Sequence, residues 1–298
     1  MKLSDLMDLV VLRGAAHGLS LHAHRPALAQ LQGGHRSAQR GRGLEFEEVR
    51  AYVAGDDART IDWRVTARRG KPHTKLFREE RERPVWIVAD LHRGLFFGSR
   101  RQFKSTVLLH AAALLSWVAA LSGDRVGAVI TDGNAAPHIL PGRAREAGVL
   151  PILQMLTECQ PKAPGTPNPT GLQLALTTLR PLLQPGSLVL VLSDFVGLDG
   201  DVEDILAGAS TQCDVRLLWI TDTLECTGLP AGTHRVGLPD RLWWMDGQGS
   251  RNAWLAAWAQ REQSLTTLAM RLNLPLVRLD TSDIVSDRLV ALLKESAA

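Results

Sequence analysis

The sequence predicts an α/β protein: a doubly wound, mostly parallel sheet over residues 84–298, preceded by a small β-containing subdomain within residues 1–83. Three observations carry this. After Pro84, short apolar runs alternate with longer helical stretches, which is the order of a parallel sheet with crossover helices. The runs at 85–89, 126–130, 188–192 and 215–220 are rich in Val, Leu and Ile, as strands buried on both faces require. Before Pro84 the pieces are shorter, alternate in polarity and are punctuated by glycine.

Taken in order, residues 3–13 predict an opening helix. Residues 14–43, rich in Gly, His, Arg and Gln, read as an extended basic linker. From 44 to 80 strands and turns are expected, with Gly55-Asp56-Asp57 as a turn and 73–77 as a strand of alternating faces. The run at 85–89 is expected at the centre of the main sheet. Residues 101–122 predict a helix whose apolar stretch, about fifteen residues, falls short of the ~20 needed to span a bilayer, so it reads as a buried core helix. Asp132-Gly133-Asn134 is a turn that brings 135–140 back antiparallel to 126–130. Helices at 146–158, 172–183, 202–209, 251–272 and 284–294 separate the remaining strands, the last of them at 276–279.

Composition narrows the class. Among 298 residues, 45% are hydrophobic and 22% charged, enough for a full core. The net charge is +3, but residues 1–83 hold 16 Lys/Arg against 11 Asp/Glu, and the remainder 18 against 20. This mild basic excess reads as a solvated face, and nucleic acid is not expected as a partner. The cysteines, Cys159, Cys213 and Cys226, are too widely spaced for a disulfide framework or a sequence-local zinc motif, so a reducing, cytoplasmic setting is expected. The N-terminus lacks the apolar core of a signal peptide. No Walker loop, dinucleotide fingerprint or nucleophile elbow is present.

Chemistry gathers at strand ends. Asp90 closes the first buried run, Thr170 precedes a helix, and Ser193-Asp194 closes a later run. In a doubly wound sheet these carboxyl ends meet at one rim, the usual place for ligands. Oxygen donors gathered there suit Mg²⁺. Each Asp alone would equally well cap the next helix. Upstream, Arg50, Tyr52, Gly55, Asp56, Asp57, Arg59, Asp62 and Trp63 form a dense run of charges and aromatics, read here as structural, with Trp63 as a buried anchor. Trp243, Trp244, Trp254 and Trp258 cluster late in the chain and read as core or as a partner-binding patch.

The run Gly55-Asp56-Asp57-x-Arg59-x-Ile61-Asp62-Trp63, with Arg50-x-Tyr52 before it and Gly123-Asp124-Arg125-Val126-Gly127 and Ser193-Asp194-Phe195 after it, resembles the bacterial domain-of-unknown-function 58 family. The Asp90, Thr170 and Asp194 elements resemble a von Willebrand factor A domain, whose metal-ion-dependent adhesion site uses D-x-S-x-S, a Thr and an Asp. Here that motif reads Asp90-Leu91-His92-Arg93-Gly94, so both serines are missing and His92 is a softer donor than Mg²⁺ prefers. The resemblance therefore implies a degenerate metal site at Asp90, His92, Thr170 and Asp194, with a partner-binding rim at Arg93, Gly94 and Phe195. No cofactor is expected, and Mg²⁺ or Mn²⁺ only if the site functions. It further implies a non-enzymatic protein-interaction module, an adaptor or scaffold for a MoxR-type AAA+ ATPase acting on a client protein. The competing classes are a metal-dependent, phosphoesterase-like hydrolase built on Asp90, His92 and Asp194, and a binder of anionic ligands through the basic N-terminal portion.

Overall fold

The computed structural model describes residues 1–21, 44–53, 59, 61–79, 82–133, 136–238 and 241–295. Expectations for the 22–43 linker, the Gly55-Asp56-Asp57 turn and Asn134 lie outside these residues. The chain forms two compact units: residues 1–33 with 83–298, and residues 34–82.

The larger unit is built on a six-stranded sheet. Its strands are β3 (Pro84–Asp90), β4 (Arg125–Thr131), β5 (His138–Ala144), β6 (Leu188–Ser193), β7 (Asp214–Thr221) and β10 (Leu276–Asp280), in the order β10-β7-β6-β3-β4-β5. All neighbours are parallel except β5, which returns antiparallel on β4. The run at 85–89 lies between β6 and β4, centrally, as its unbroken apolarity requires.

Alternation along β3 assigns the two faces. Val85, Ile87 and Ala89 enter one apolar cluster with α4 (Lys104–Leu121), α5 (Glu146–Cys159) and α10 (Val285–Glu295). Trp86 and Val88 enter the other with α6 (Gly171–Leu179), α7 (Gly200–Ser210) and α9 (Gly247–Leu272). Helix α4 is apolar on all sides because it is buried on nearly all sides. It is the one described helix long and apolar enough to cross a membrane by length and composition, and 83% of it lies inside the protein.

The N-terminal helices α1 (Leu6–Val11) and α2 (Arg13–Ala16) group with this larger unit, apart from residues 34–82. Leu9, Ala16, Leu19 and Leu21 are buried in the α4 cluster, and Trp117 donates its indole N–H to the Leu9 carbonyl at 3.2 Å. Asp5 caps α1 in a reciprocal box with Asp8.

In the smaller unit, β1 (Leu44–Ala51) pairs antiparallel with β2 (His73–Glu79), with an irregularity between Phe46 and Glu48. Between them α3 (Trp63–Arg69) starts at Asp62, whose carboxylate accepts the Arg64 and Val65 N–H groups, and ends at left-handed Gly70. Asp62 of the signature run is thus a helix cap. Trp63 is 70% exposed, so it is not the buried anchor expected of it. Arg50 turns back on the Ala51 carbonyl, Tyr52 N–H reaches the Pro72 carbonyl, and Arg59 is exposed.

Helix α3, in a stretch expected to hold only strands and turns, had no counterpart in the sequence reading, and neither did a late hairpin. Strands β8 (Thr233–Leu238) and β9 (Arg241–Asp246) pair antiparallel, and β9 carries Trp243 and Trp244 into solvent.

Candidate functional site

Strands β3 and β6 run side by side and deliver Asp90 and Asp194 to the same rim of the sheet. Both carboxylates are buried, as is His92 two residues beyond β3. The donor atoms of the three lie within 4.8 Å of one another. Asp90, His92 and Asp194 of the expected constellation therefore assemble, but as an internal hydrogen-bonded cluster.

Asp90 accepts the Ser193 hydroxyl at 2.7 Å and the Thr131 hydroxyl at 3.1 Å. Burial, only partly offset by His92 and these hydroxyls, pushes its carboxyl up to about 6. Gly171 opens α6 directly above it, where a Cβ would stand 2.8 Å from the Asp90 carboxylate.

Asp194 has the opposite setting. Lys104, the first residue of α4, is buried beneath it with Nζ 2.9 Å from its carboxylate and 2.8 Å from that of Glu225 in the short helix α8 (Thr223–Thr227). His92 Nε2 lies 3.3 Å away, and the Val196 N–H donates from 3.2 Å. Burial alone would raise the Asp194 carboxyl, but Lys104, then His92 and Arg261, outweigh it and hold it well below the usual carboxylate range. The Lys104 ammonium is raised in turn: Asp194 and Glu225 outweigh its burial.

His92 is held at both nitrogens. The Gly94 N–H donates to Nδ1 at 3.1 Å, which fixes the neutral ring with its proton on Nε2, toward Asp194. Burial opposes a charge on the ring, but Asp194 and Asp90 raise its basicity overall. The imidazole also fills the space a side chain at 94 would need: a Cβ there would meet Nδ1 at 2.9 Å. The two departures from D-x-S-x-S are therefore one packing solution.

These contacts decide whether a divalent ion fits. Two serine hydroxyls are absent, Asp194 is already neutralised by an ammonium, and His92 Nδ1 is occupied. The Thr170 hydroxyl is turned to Asn168 at 3.0 Å, in an exposed loop, rather than into the cluster. The residues present do not fit Mg²⁺ or Mn²⁺. Thr170 thus stands outside the cluster, and Lys104, Thr131, Ser193 and Glu225 belong to it. Of the expected rim, Arg93 is exposed and lies against Gly165, whereas Phe195 is 2% exposed and packs in the core. Phe195 adopts φ of +55°, unusual for a bulky residue, and so turns the chain back for the Val196 N–H to cap Asp194.

Sequence reasoning missed Lys104 because a lysine flanking an apolar helix normally marks its solvated end. Here it begins the helix and is fully buried, at the end whose dipole disfavours a cation. Arg261 of α9 completes the cation set: it donates to the Asp194 carbonyl and lies between two shallow clefts of about 280 and 330 Å³.

Comparison with known proteins adds the following. The family model described as "Protein of unknown function DUF58" matches residues 48–240. The uncharacterized proteins Rv1480 of Mycobacterium tuberculosis and Mb1516 of Mycobacterium bovis are each 31% identical over 186 residues, 62% of this chain. That match spans 58% of the length of these curated relatives. Among solved structures, BatB from Bacteroides thetaiotaomicron aligns with a TM-score of 0.45 at 13% identity, over 72% of this chain and 98% of that one. The PilB minor pilin from Streptococcus sanguinis aligns with a TM-score of 0.41 at 10% identity, over 77% and 66%.

Proposed function

This chain belongs to the DUF58 family, and from that premise we propose that it is a von Willebrand factor A-like interaction module. In this reading it is an adaptor or scaffold, acts without catalysis in the cytoplasm, and works with a MoxR-type AAA+ ATPase on a client protein. The observation that carries the reading is Lys104. A buried ammonium, 2.9 Å from Asp194, takes the electrostatic place that a divalent cation would have in such a rim. The cluster then serves to hold the loops of the rim rigid, and recognition passes to the groups on its outside.

Those groups are cationic. Arg93 is exposed beside the 161–170 loop, and Arg261 stands between the two clefts at the same edge. Cationic side chains attract an acidic partner residue without a metal. The hydrolase alternative is weakened by the same contacts: Asp90 and His92 are buried, and Asp194 is already bonded to Lys104 and His92.

The test is co-purification of the purified MoxR-type ATPase from the same genome with the wild-type chain and with Arg93→Glu, with and without Mg²⁺. The reading expects wild-type binding that is insensitive to Mg²⁺ or EDTA and a loss of tenfold or more in Arg93→Glu, whose thermal stability should be unchanged. Equal binding by both proteins would count against the rim. Binding that needs Mg²⁺ would restore the metal-dependent alternative.

A further inference from the structure

We propose that Asp132, His138 and Cys159 form a transition-metal site of the zinc type, separate from the Asp90 cluster. Their donor atoms lie within 4.8 Å of one another, with Asp132 Oδ2 and His138 Nε2 3.8 Å apart. The sequence offered no hint, because the three belong to different elements and match no local ligand spacing. The fold brings them together. His138 opens β5 opposite Ile130 of β4, Asp132 follows the end of β4, and Cys159 is the last residue of α5, which packs on both strands.

The donor set is selective. A thiolate, an imidazole and one carboxylate suit Zn²⁺ and its neighbours rather than Mg²⁺ or Ca²⁺, which prefer oxygen throughout. Zn–N and Zn–O bonds of ~2.0 Å and Zn–S of ~2.3 Å place tetrahedral ligands roughly 3.3–3.6 Å apart. Movements on the scale of a side-chain adjustment therefore close the site. At 3.8 Å the Asp132–His138 pair is beyond hydrogen-bond length and about half an ångström wider than two tetrahedral zinc ligands.

A rival reading as a thiol nucleophile with a His–Asp pair fails on electrostatics. Burial, with Asp132 and Glu158 adding to it, pushes the Cys159 thiol up to about 11, whereas a nucleophilic cysteine needs a lowered value. A dication reverses that conflict, since it binds thiolate and carboxylate together. Among the described residues, three protein ligands leave a fourth position open. The side chains of Asp132 and His138 are 21% and 40% exposed, so that position faces solvent. A Cβ at Gly133 would stand 3.7 Å from His92 Cα, which puts the site on the same rim as the Asp90 cluster.

The test uses the full chain, stripped by chelator and reloaded with Zn²⁺ or, for its spectrum, Co²⁺. The expected results are one tightly held Zn²⁺ per chain after dialysis, a rise in melting temperature, and a thiolate-to-Co²⁺ charge-transfer band. His138→Ala, at a half-exposed edge position, should bind at least tenfold more weakly, and Cys159→Ser should lose the band. His92→Asn should keep all three signals. Failure of the wild-type chain to retain zinc overturns the proposal. So does retention that is equal in His138→Ala and Cys159→Ser, or one that is abolished by His92→Asn while His138→Ala binds normally.

Discussion

The residue that decides the chemistry of the rim is Lys104. Breaking a buried ion pair from one side leaves the other charge unpaired, at a cost of about 3–5 kcal/mol. Lys104→Met should therefore lower stability by that order, and millimolar Mg²⁺ should restore part of it by occupying the vacated place. The wild-type protein should show no Mg²⁺-dependent change in melting temperature. A second experiment separates the motif from the ammonium. His92→Ser with Gly94→Ser supplies both missing hydroxyls together, as the 2.9 Å approach of His92 to position 94 requires. Isothermal titration should still detect no Mg²⁺ binding until Lys104→Met is added. Binding by the double variant alone would show that the ammonium is not the obstacle. Asp90 offers a pH test. Its carboxyl is raised to about 6 from an unfolded value near 4, so the folded state holds a proton that the unfolded state releases. That destabilises the fold progressively as pH rises through this window. Against Asp90→Asn, wild type should lose on the order of 3 kcal/mol between about pH 4 and pH 6 in chemical denaturation. Parallel curves would refute the assignment.

At the scale of elements, legibility followed periodicity. The four central strands, β3, β4, β6 and β7, were readable because near-continuous apolar runs leave no other use for themselves, whereas β5 was readable only from the turn that precedes it. Helix α4 was readable as core because an all-round apolar surface needs burial on all sides. The β8–β9 hairpin was not, since Thr233–Leu238 carries Arg and Gly and Arg241–Asp246 is largely exposed, so neither shows a buried face. Cys159, Asp132 and His138 were individually visible, but only the return of β5 on β4 reveals that they meet. The β4–β5 pairing gives its own prediction. A Cβ at Gly127 would stand 2.8 Å from the Trp86 ring and 2.9 Å from backbone of β5. Gly127→Val should cost about 2–3 kcal/mol, seen as a fall in melting temperature of roughly 5 °C or more. Gly208→Ala is its control: it lies within α7 with nothing in reach of a new methyl, and should be neutral or stabilising by about 0.4–1 kcal/mol.

For the molecule as a whole, charge is managed at the rim by internal pairing rather than by solvent. Asp194 with Lys104, and Asp222 with the Ser99 hydroxyl and backbone, occupy the ends of neighbouring strands β6 and β7. The sequence shows the aspartates, since strand-end carboxylates are conspicuous, but not their partners, which arrive from residues about 90 to 120 positions away. The late tryptophans divide by the same logic of place. Trp258 is buried, Trp254 donates to the Glu225 carbonyl, and Trp244 is 71% exposed. Trp258→Ala should cost about 3–5 kcal/mol, and Trp244→Ser under about 0.5 kcal/mol, by denaturant unfolding.

The stacked pair of Trp219 and Trp258 has an optical consequence. Their rings lie 5.0 Å apart and 9° from parallel, with the Arg278 guanidinium within 5.6 Å of both centroids. Indoles this close share their excited states, and the Trp219 N–H is bonded to the Asp194 carbonyl at 3.2 Å. The pair therefore converts a displacement at the rim into a change of near-ultraviolet ellipticity. A ligand or partner that shifts Asp194 can be followed through this signal without a label, and Trp258→Phe supplies the blank.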